Sequence, residues 1–192
     1  MLDVASDLGK VFKVDTMPLV QTLTPRIKGN EPDNTYSGNF GLNEFPFHTD
    51  LAHWYIPPRY ILLRCVNPAK SVATKFIDRK LILDEELNEL IGRAHFRARK
   101  RLDRKANLMK ILHENVFRWD SLFITPANKA GKALKEKIEE RIQTIQPQEI
   151  FLHKVGDCIL VDNWRMLHSR GSIDKESIHR KVQRVYFNEV KL

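Results

Sequence analysis

The sequence predicts a mainly β domain with flanking helices, and three observations carry this. Apolar runs of strand length stand at 59–66 and 72–77, bounded by Pro57-Pro58 and by the turn Asn67-Pro-Ala-Lys-Ser71. The last third returns to such runs and ends in Gln183-Arg-Val-Tyr-Phe-Asn-Glu-Val190, which alternates. Between them, from about 84 to 146, the apolar period is that of helices. Strands on both sides of a helical middle require a sheet assembled from distant pieces. At 192 residues and 42% hydrophobic content, residues 1–192 read as a single domain with a helical insertion at about 84–146.

Residues 1–45 are rich in Pro, Gly, Asn and Asp. Val11 to Val14 reads as a short strand, and Thr24-Pro25-Arg26 and Gly29 to Asn34 as turns and loop. Asn34-Thr-Tyr-Ser-Gly-Asn-Phe-Gly41 suits a wall over a pocket and equally an ordinary loop. Leu87, Leu90, Ile91, Ala94, Ala98 and Leu102 follow helical spacing, with Asp84, Glu85 and Glu86 at the end where the helix dipole favours carboxylates. Thr125-Pro126 is expected to open a second helix striped by Leu134, Ile138, Ile142 and Ile145, with Pro147 ending it. Glu149 to Val155 and Cys158 to Val161 then read as two strands around the tight turn Gly156-Asp157.

Net charge is +8 with a pI near 9.5, which suits nucleic acid, an acidic surface or an anionic small molecule, or simply solubility. No run of about 18 apolar residues would span a membrane, and the first residues lack the pattern of a signal peptide. Cys65 and Cys158 sit in apolar runs and read as buried reduced thiols rather than a disulfide, so a cytoplasmic location is expected.

The chemistry-bearing feature is His48-Thr49-Asp50 with a distant His168. In an extended segment, residues two apart share a face, so His48 and Asp50 could both reach one metal. His168, just after Gly156-Asp-Cys-Ile-Leu-Val-Asp-Asn163, could supply the third ligand from another strand. Two imidazoles and a carboxylate on one side of a metal, with other positions open, suit non-haem Fe(II) and O2.

Four blocks then resemble one family. Phe45-Pro-Phe-His-Thr-Asp50 followed by Pro57-Pro58 resembles the metal-binding strand of the taurine dioxygenase and clavaminate synthase-like Fe(II)- and 2-oxoglutarate-dependent oxygenases. Val155 to Arg170 resembles the same family's distal-histidine segment, with its Gly156-Asp157 turn, Asp162-Asn163 pair and Leu167-His168-x-Arg170 core. Arg180 and Arg184 fall 12 and 16 residues after His168, as that family's arginine pair does. Val20-Gln-Thr-Leu-Thr-Pro-Arg26 is similar more weakly.

The resemblance implies a double-stranded β-helix, a jelly-roll core with helices outside. It implies that His48, Asp50 and His168 bind Fe(II), that Arg180 and Thr74 bind the distal carboxylate of 2-oxoglutarate, and that O2 takes an open metal position. Arg184 is placed near the co-substrate or a substrate anion. The implied reaction is oxidation, by default hydroxylation, of a small molecule, with 2-oxoglutarate going to succinate and CO2. An anionic or amino-acid-like substrate is expected. The intact Asp50 argues against halogenation, which needs that position emptied for halide.

The remaining candidates have plainer readings beside them. Tyr36, Asn39, His53 and Trp54 could line the pocket or simply pack in loops. Arg184 could as well be a strand arginine paired with an acid, and Thr74 could be there for its β-propensity. Arg170 reads first as a structural salt bridge, to Asp162 or another carboxylate. Seven cationic side chains between Arg93 and Lys105 form either a solvated helix face or a phosphate-contacting surface. That stretch leaves open a nucleic-acid-binding protein, or an oxygenase acting on nucleic acid, as the alternative function. Oligomeric state has no signal in the sequence.

Overall fold

The computed structural model describes residues 1–14, 17–29, 31, 32, 35–99 and 108–191. Its helices are α1 (Leu2–Leu8), α2 (Tyr36–Phe40), α3 (Asn88–Arg93) and α4 (Lys129–Thr144). The strands of the first half are β1 (Val11–Phe12), β2 (Gln21–Leu23), β3 (Tyr60–Asn67), β4 (Ala73–Asp78), β5 (Phe96–Ala98), β6 (Leu108–Met109) and β7 (Leu112–His113). Those of the second half are β8 (Val116–Phe117), β9 (Ile124–Pro126), β10 (Gln148–Phe151), β11 (Cys158–Asp162), β12 (Met166–Arg170) and β13 (Lys181–Phe187).

Two antiparallel sheets make the core. The larger runs β1-β13-β3-β11, with β2 also on β13; the smaller runs β10-β4-β12. Strands pair across long separations in the chain, β3 with β13 and β11, and β4 with β10 and β12. The middle segment, expected to be helical and instead carrying the short strands β5 to β9 between α3 and α4, therefore interrupts a β framework that closes only when the last third arrives.

Side-chain alternation explains which residues face inward. On β3, Ile61, Leu63 and Cys65 enter the core between the sheets, while Leu62 points the other way and packs with Ala5 of α1. On β13, Val182 and Tyr186 join the inner core, and Val185 and Phe187 join the outer one. Arg184, midway between Val182 and Tyr186, is carried to the interior by the same period.

Several expected elements differ. Helix α3 stops at Arg93, and Phe96–Ala98 is a strand paired with β6 and β9. The cause is Asn128: its amide donates to Arg93 O at 2.9 Å and accepts from His95 N at 3.1 Å, taking backbone groups that a longer helix would use itself. Leu102 and the cations from Lys100 to Lys105 lie outside the described residues. Thr125 and Pro126 end β9, and α4 starts after Asn128, whose Oδ1 accepts from Gly131 N at 2.7 Å. The stripe of α4 is as expected, with Leu134 and Ile138 buried and Ile142 and Ile145 packed beside them.

The turn at Gly156-Asp157 is present, and Gly156 needs its φ of 93°. It does not close a hairpin, however: β10 pairs with β4 and β11 with β3, so the turn passes the chain from one sheet to the other. It is held to β3 by Cys65 N donating to Asp157 O at 2.8 Å and Gly156 N donating to Cys65 O at 3.0 Å.

No helix among the described residues is long and apolar enough to cross a membrane.

Candidate metal centre

Strand β12 builds one side of the site. Met166, His168 and Arg170 share its inner face, and His168 and Arg170 stand opposite Phe76 and Thr74 of β4. Residues 45–48 extend the small sheet alongside β12. His48 N donates to His168 O at 3.0 Å, His168 N donates back to His48 O at 2.9 Å, and Phe45 N donates to Arg170 O at 2.9 Å. This brings two residues 120 positions apart in the sequence into register, their ring centroids 4.5 Å apart.

After His48 the chain leaves the ladder, and each backbone group is caught by a different neighbour. Thr49 N donates to Trp119 O at 2.8 Å, and Trp119 N donates to Thr49 Oγ1 at 3.1 Å. Asp50 N donates to Asn163 Oδ1 at 2.7 Å, while Asn163 Nδ2 donates to Asp50 O at 3.0 Å and Pro58 O at 2.9 Å. Leu51 follows in the left-handed region, φ 55°, which turns the chain sharply beneath Asp50.

The carboxylate of Asp50 is divided between two tasks. Oδ2 accepts from Arg184 Nη1 at 2.8 Å and from the Tyr186 hydroxyl at 2.9 Å. Oδ1 faces His48 Nε2 at 3.6 Å and His168 Nε2 at 3.5 Å. Burial alone would raise the Asp50 pKa, but Arg184, His168 and His48 together hold it well below the usual carboxylate range. Burial, with His48 beside it, pushes His168 down and favours its neutral, ligating form. His48 Nδ1 lies 2.8 Å from Pro46 O. A carbonyl only accepts, so Nδ1 carries the hydrogen and Nε2 offers its lone pair.

His48, Asp50 and His168 are the described residues whose ligand atoms lie within 4.8 Å of one another. Two imidazole nitrogens and one anionic oxygen turned to a common point fit a divalent transition metal; His48 Nδ1 and Asp50 Oδ2 are held by hydrogen bonds, whereas His168 Nδ1 is buried without one among the described residues.

The triad opens on a cavity of about 940 Å³. Thr74, Arg170 and Arg180 line it. Arg180 is 8% exposed, and no carboxylate among the described residues pairs with it. Arg170 forms no salt bridge among the described residues, which corrects its expected role: its guanidinium donates to Gly41 O at 2.8 Å and lies 3.6 Å from the centre of the Phe45 ring. Burial, with Arg180 beside it, lowers its pKa to about 10. A buried guanidinium, Arg180, and a half-buried one, Arg170, without an acid between them among the described residues make this end of the cavity suited to an anion.

Tyr36 and His53 line the cavity and Asn39 does not; its amide donates to Thr35 O at 2.8 Å. Tyr36 stacks on His48 with centroids 4.1 Å apart. The Thr35 cap, its Oγ1 accepting from Gly38 N at 3.0 Å, starts α2 there, and a Cβ at Gly38 would collide with the Pro32 carbonyl. Trp54 packs against the inter-sheet core instead of the cavity. Arg184 meets the acid of its plainer reading, and its Nη2 donates to Gln21 Oε1 at 2.6 Å.

Sequence reasoning missed Gln21, Asp120, Phe123 and Tyr186. Tyr186 was open to inference, two residues after Arg184 on an alternating strand. Gln21 lies in the weakly similar early block. Asp120 and Phe123 had no signal, because the segment carrying them sits between two expected helices.

No protein-family model and no curated protein matches this chain. Solved structures do. Non-heme iron oxygenase OrfP in complex with Fe and alpha-ketoglutaric acid is similar at TM-score 0.69 and 18% identity, over 88% of this chain and 56% of that one. Asparagine oxygenase in complex with Fe(II), 2S,3S-3-hydroxyasparagine and succinate is similar at TM-score 0.68 and 18% identity, with the same coverages of 88% and 56%. A further OrfP structure is covered over 62% of its length and this chain over 93%, at TM-score 0.68 and 16% identity. The chain thus spans less than two thirds of the structures it matches. At such identity the likeness establishes the fold: a double-stranded β-helix of the kind found in non-haem iron oxygenases.

Proposed function

We propose that this chain is an Fe(II)- and 2-oxoglutarate-dependent oxygenase that oxidises, by default hydroxylates, a small molecule. One observation carries the reading: His48 Nε2, His168 Nε2 and Asp50 Oδ1 converge at the wall of a cavity whose adjoining end holds Arg180, a cation with no acid beside it among the described residues. The fold shared with iron oxygenases supports it independently.

The iron, when bound, supplies O2 activation coupled to decarboxylation of 2-oxoglutarate to succinate and CO2. The rest falls to the protein. Arg184 and Tyr186 occupy Oδ2 of Asp50, so Oδ1 is the oxygen left for the metal. Pro46 O fixes the His48 tautomer. Arg180 holds the far carboxylate of 2-oxoglutarate through its planar fork, and the Thr74 hydroxyl adds a donor. Arg184 lines the cavity as well as holding Asp50, so it stays a candidate contact for a substrate anion. The aromatic rings of Tyr36, Phe45 and Phe123 cover the site and exclude water.

An amino-acid-like substrate is supported by the neighbours, whose structures hold hydroxylated asparagine and arginine. Tyr36 and His53 are its candidate contacts; Asn39, outside the cavity lining, is not among them. A cytoplasmic setting fits the two free cysteines, of which Cys65 is buried as expected and Cys158, against expectation, is exposed. The nucleic-acid alternative is weakened, since the basic helix it required ends at Arg93.

The test is a titration of 2-oxoglutarate into anaerobic, Fe(II)-loaded protein, read by the weak visible charge-transfer band of the chelate. A saturable band supports the proposal. Bound iron with no band removes it.

A further inference from the structure

His48 stands where the ladder ends, and its strand alone does not fix its side chain. The backbone of residues 45–48 pairs with β12, but from Thr49 onward other neighbours catch the chain. One hydrogen bond, from Nδ1 to Pro46 O at 2.8 Å, holds an edge of the imidazole. A bond at one edge sets the tautomer and leaves the ring plane free to rock, because the torsion about Cβ–Cγ has broad wells. The remaining restraint comes from Tyr36. Its ring lies on the His48 ring with centroids 4.1 Å apart and planes 25° apart.

Tyr36 is itself fixed at both ends. At its base Thr35 caps α2, with Oγ1 accepting from Gly38 N at 3.0 Å, and this sets where the side chain leaves the backbone. At its tip the buried hydroxyl meets the carboxylate of Asp120 in a loosely aligned hydrogen bond. That carboxylate is anchored in turn, since its Oδ1 accepts from Leu122 N and Phe123 N, both at 2.8 Å. Around the ring, Phe123 meets it edge to face at 5.3 Å, and Phe45 tilts against it at 5.4 Å. His168 has no such second hold. Its Nδ1 is buried without a hydrogen bond among the described residues, and its place comes from the pairing of β12 with β4. The two imidazoles are therefore held by different means, and aromatic support goes to the one at the end of the ladder.

We infer that Tyr36 is a positioning residue: stacked on His48 and tethered to Asp120, it holds the imidazole plane so that Nε2 stays directed at the point shared with Asp50 and His168. The inference rests on the metal-centre reading for what His48 binds; the holding of the ring stands on the stack and the tether. Aromatic packing alone predicts something else. It would make Tyr36 matter to Tm and leave the metal affinity of the folded protein unchanged.

Co(II), whose visible d–d bands report the geometry of its ligands, is titrated into wild type, Tyr36→Leu and Tyr36→Phe at one pH, beside thermal melts. Tyr36→Leu should bind about tenfold more weakly, the low end for losing a support behind a ligand, and its bands should change. Tyr36→Phe keeps the ring and loses the tether, and should bind between the two. Wild-type affinity and bands in folded Tyr36→Leu overturn the inference, whatever happens to Tm. Equal weakening by both variants overturns it as well, since the ring would then hold nothing. His48 is also read without metal, by NMR. In the wild type its Cδ2 proton should lie upfield, shielded by the Tyr36 ring, and 13C relaxation should show a rigid imidazole that loosens in Tyr36→Leu. Should Tyr36→Leu fail to fold, the wild-type ring decides: an imidazole mobile on the ps–ns timescale, or an unshielded proton, overturns the inference. If the wild type binds no Co(II), the metal-centre reading falls while the metal-free measurements still judge Tyr36, so either can fail alone.

Discussion

Asn163 grips Asp50 by its main chain on both sides, accepting from Asp50 N at 2.7 Å and donating to Asp50 O at 3.0 Å. The pair lies 113 residues apart, and Asn163 is fully buried. If Asp50 ligates a metal as proposed, it needs such a clamp, because a small shift of its backbone would move the carboxylate away from the point that His48 and His168 also face. Asn163→Ala leaves two groups of Asp50 and one of Pro58 without partners. The expected loss is about 3 kcal/mol, a fall of about 6–12 °C in Tm for a chain of this size. Metal affinity should fall about 10–100-fold, as for other supports of a ligand. Thermal melts and a Co(II) titration measure both; an unchanged affinity would show that Asp50 is held by its carboxylate contacts alone.

Removing Asp50 itself should do more than empty the metal site. Arg184 would keep its charge in the interior with Gln21 as its remaining side-chain hydrogen-bond partner among the described residues, and the Tyr186 hydroxyl would lose its acceptor. Breaking a buried pair from one side costs about 3–5 kcal/mol. Asp50→Ala should therefore melt well below the wild type, and Asp50→Ala with Arg184→Met should recover part of the loss although neither variant holds metal. Identical melting of the single and double variants would mean that the ion pair adds nothing to the fold.

These dependencies also mark what the sequence could reveal. The triad was legible because His48, Asp50 and His168 stand in blocks whose neighbours are distinctive. The inward face of β13 was legible from alternation. The helix expected through Leu102 was not, because Phe96 pairs with β9 and Asn128 takes the backbone groups that helix needed, a tertiary choice absent from local periodicity. A strand arginine usually finds an acid, which is the basis for expecting a salt bridge at Arg170; here carbonyl oxygens and a phenyl ring receive it instead. Asp120 was invisible for a similar reason. Its carboxylate is placed by the Leu122 and Phe123 amides on a turn that no local periodicity marks.

Arg180→Ala should separate the co-substrate from the metal. Its guanidinium is buried and takes no acid among the described residues, so its contribution is directed at a ligand. Losing a charge-assisted contact of about 1.5–3 kcal/mol should weaken 2-oxoglutarate about 10–100-fold. Co(II) binding should not change, because none of the three ligands touches Arg180. Titration of 2-oxoglutarate into metal-loaded variant and wild type measures the first, and a direct metal titration the second. Normal 2-oxoglutarate binding by the variant would remove Arg180 from the co-substrate site.

Asp120 predicts a pH dependence of stability with a definite sign. Burial raises its pKa, and the weaker opposing influence of His48, the Tyr36 hydroxyl and the amides of Phe123 and Leu122 does not cancel that. The native carboxyl therefore holds its proton to higher pH than the unfolded one, whose value is about 3.9. Below that value both states are protonated and Asp120 is neutral in its effect. As pH rises through the unfolded value and on to the native one, the unfolded state gains by ionising first, so stability is lost. Asp120→Asn has no such proton and should gain on the wild type across that window, then keep a constant lead at neutral pH. Denaturant unfolding of both proteins from about pH 3 to 7 would reveal it. A difference independent of pH would mean that Asp120 is ionised as readily in the folded protein as in the unfolded chain, and that its charge is already matched inside.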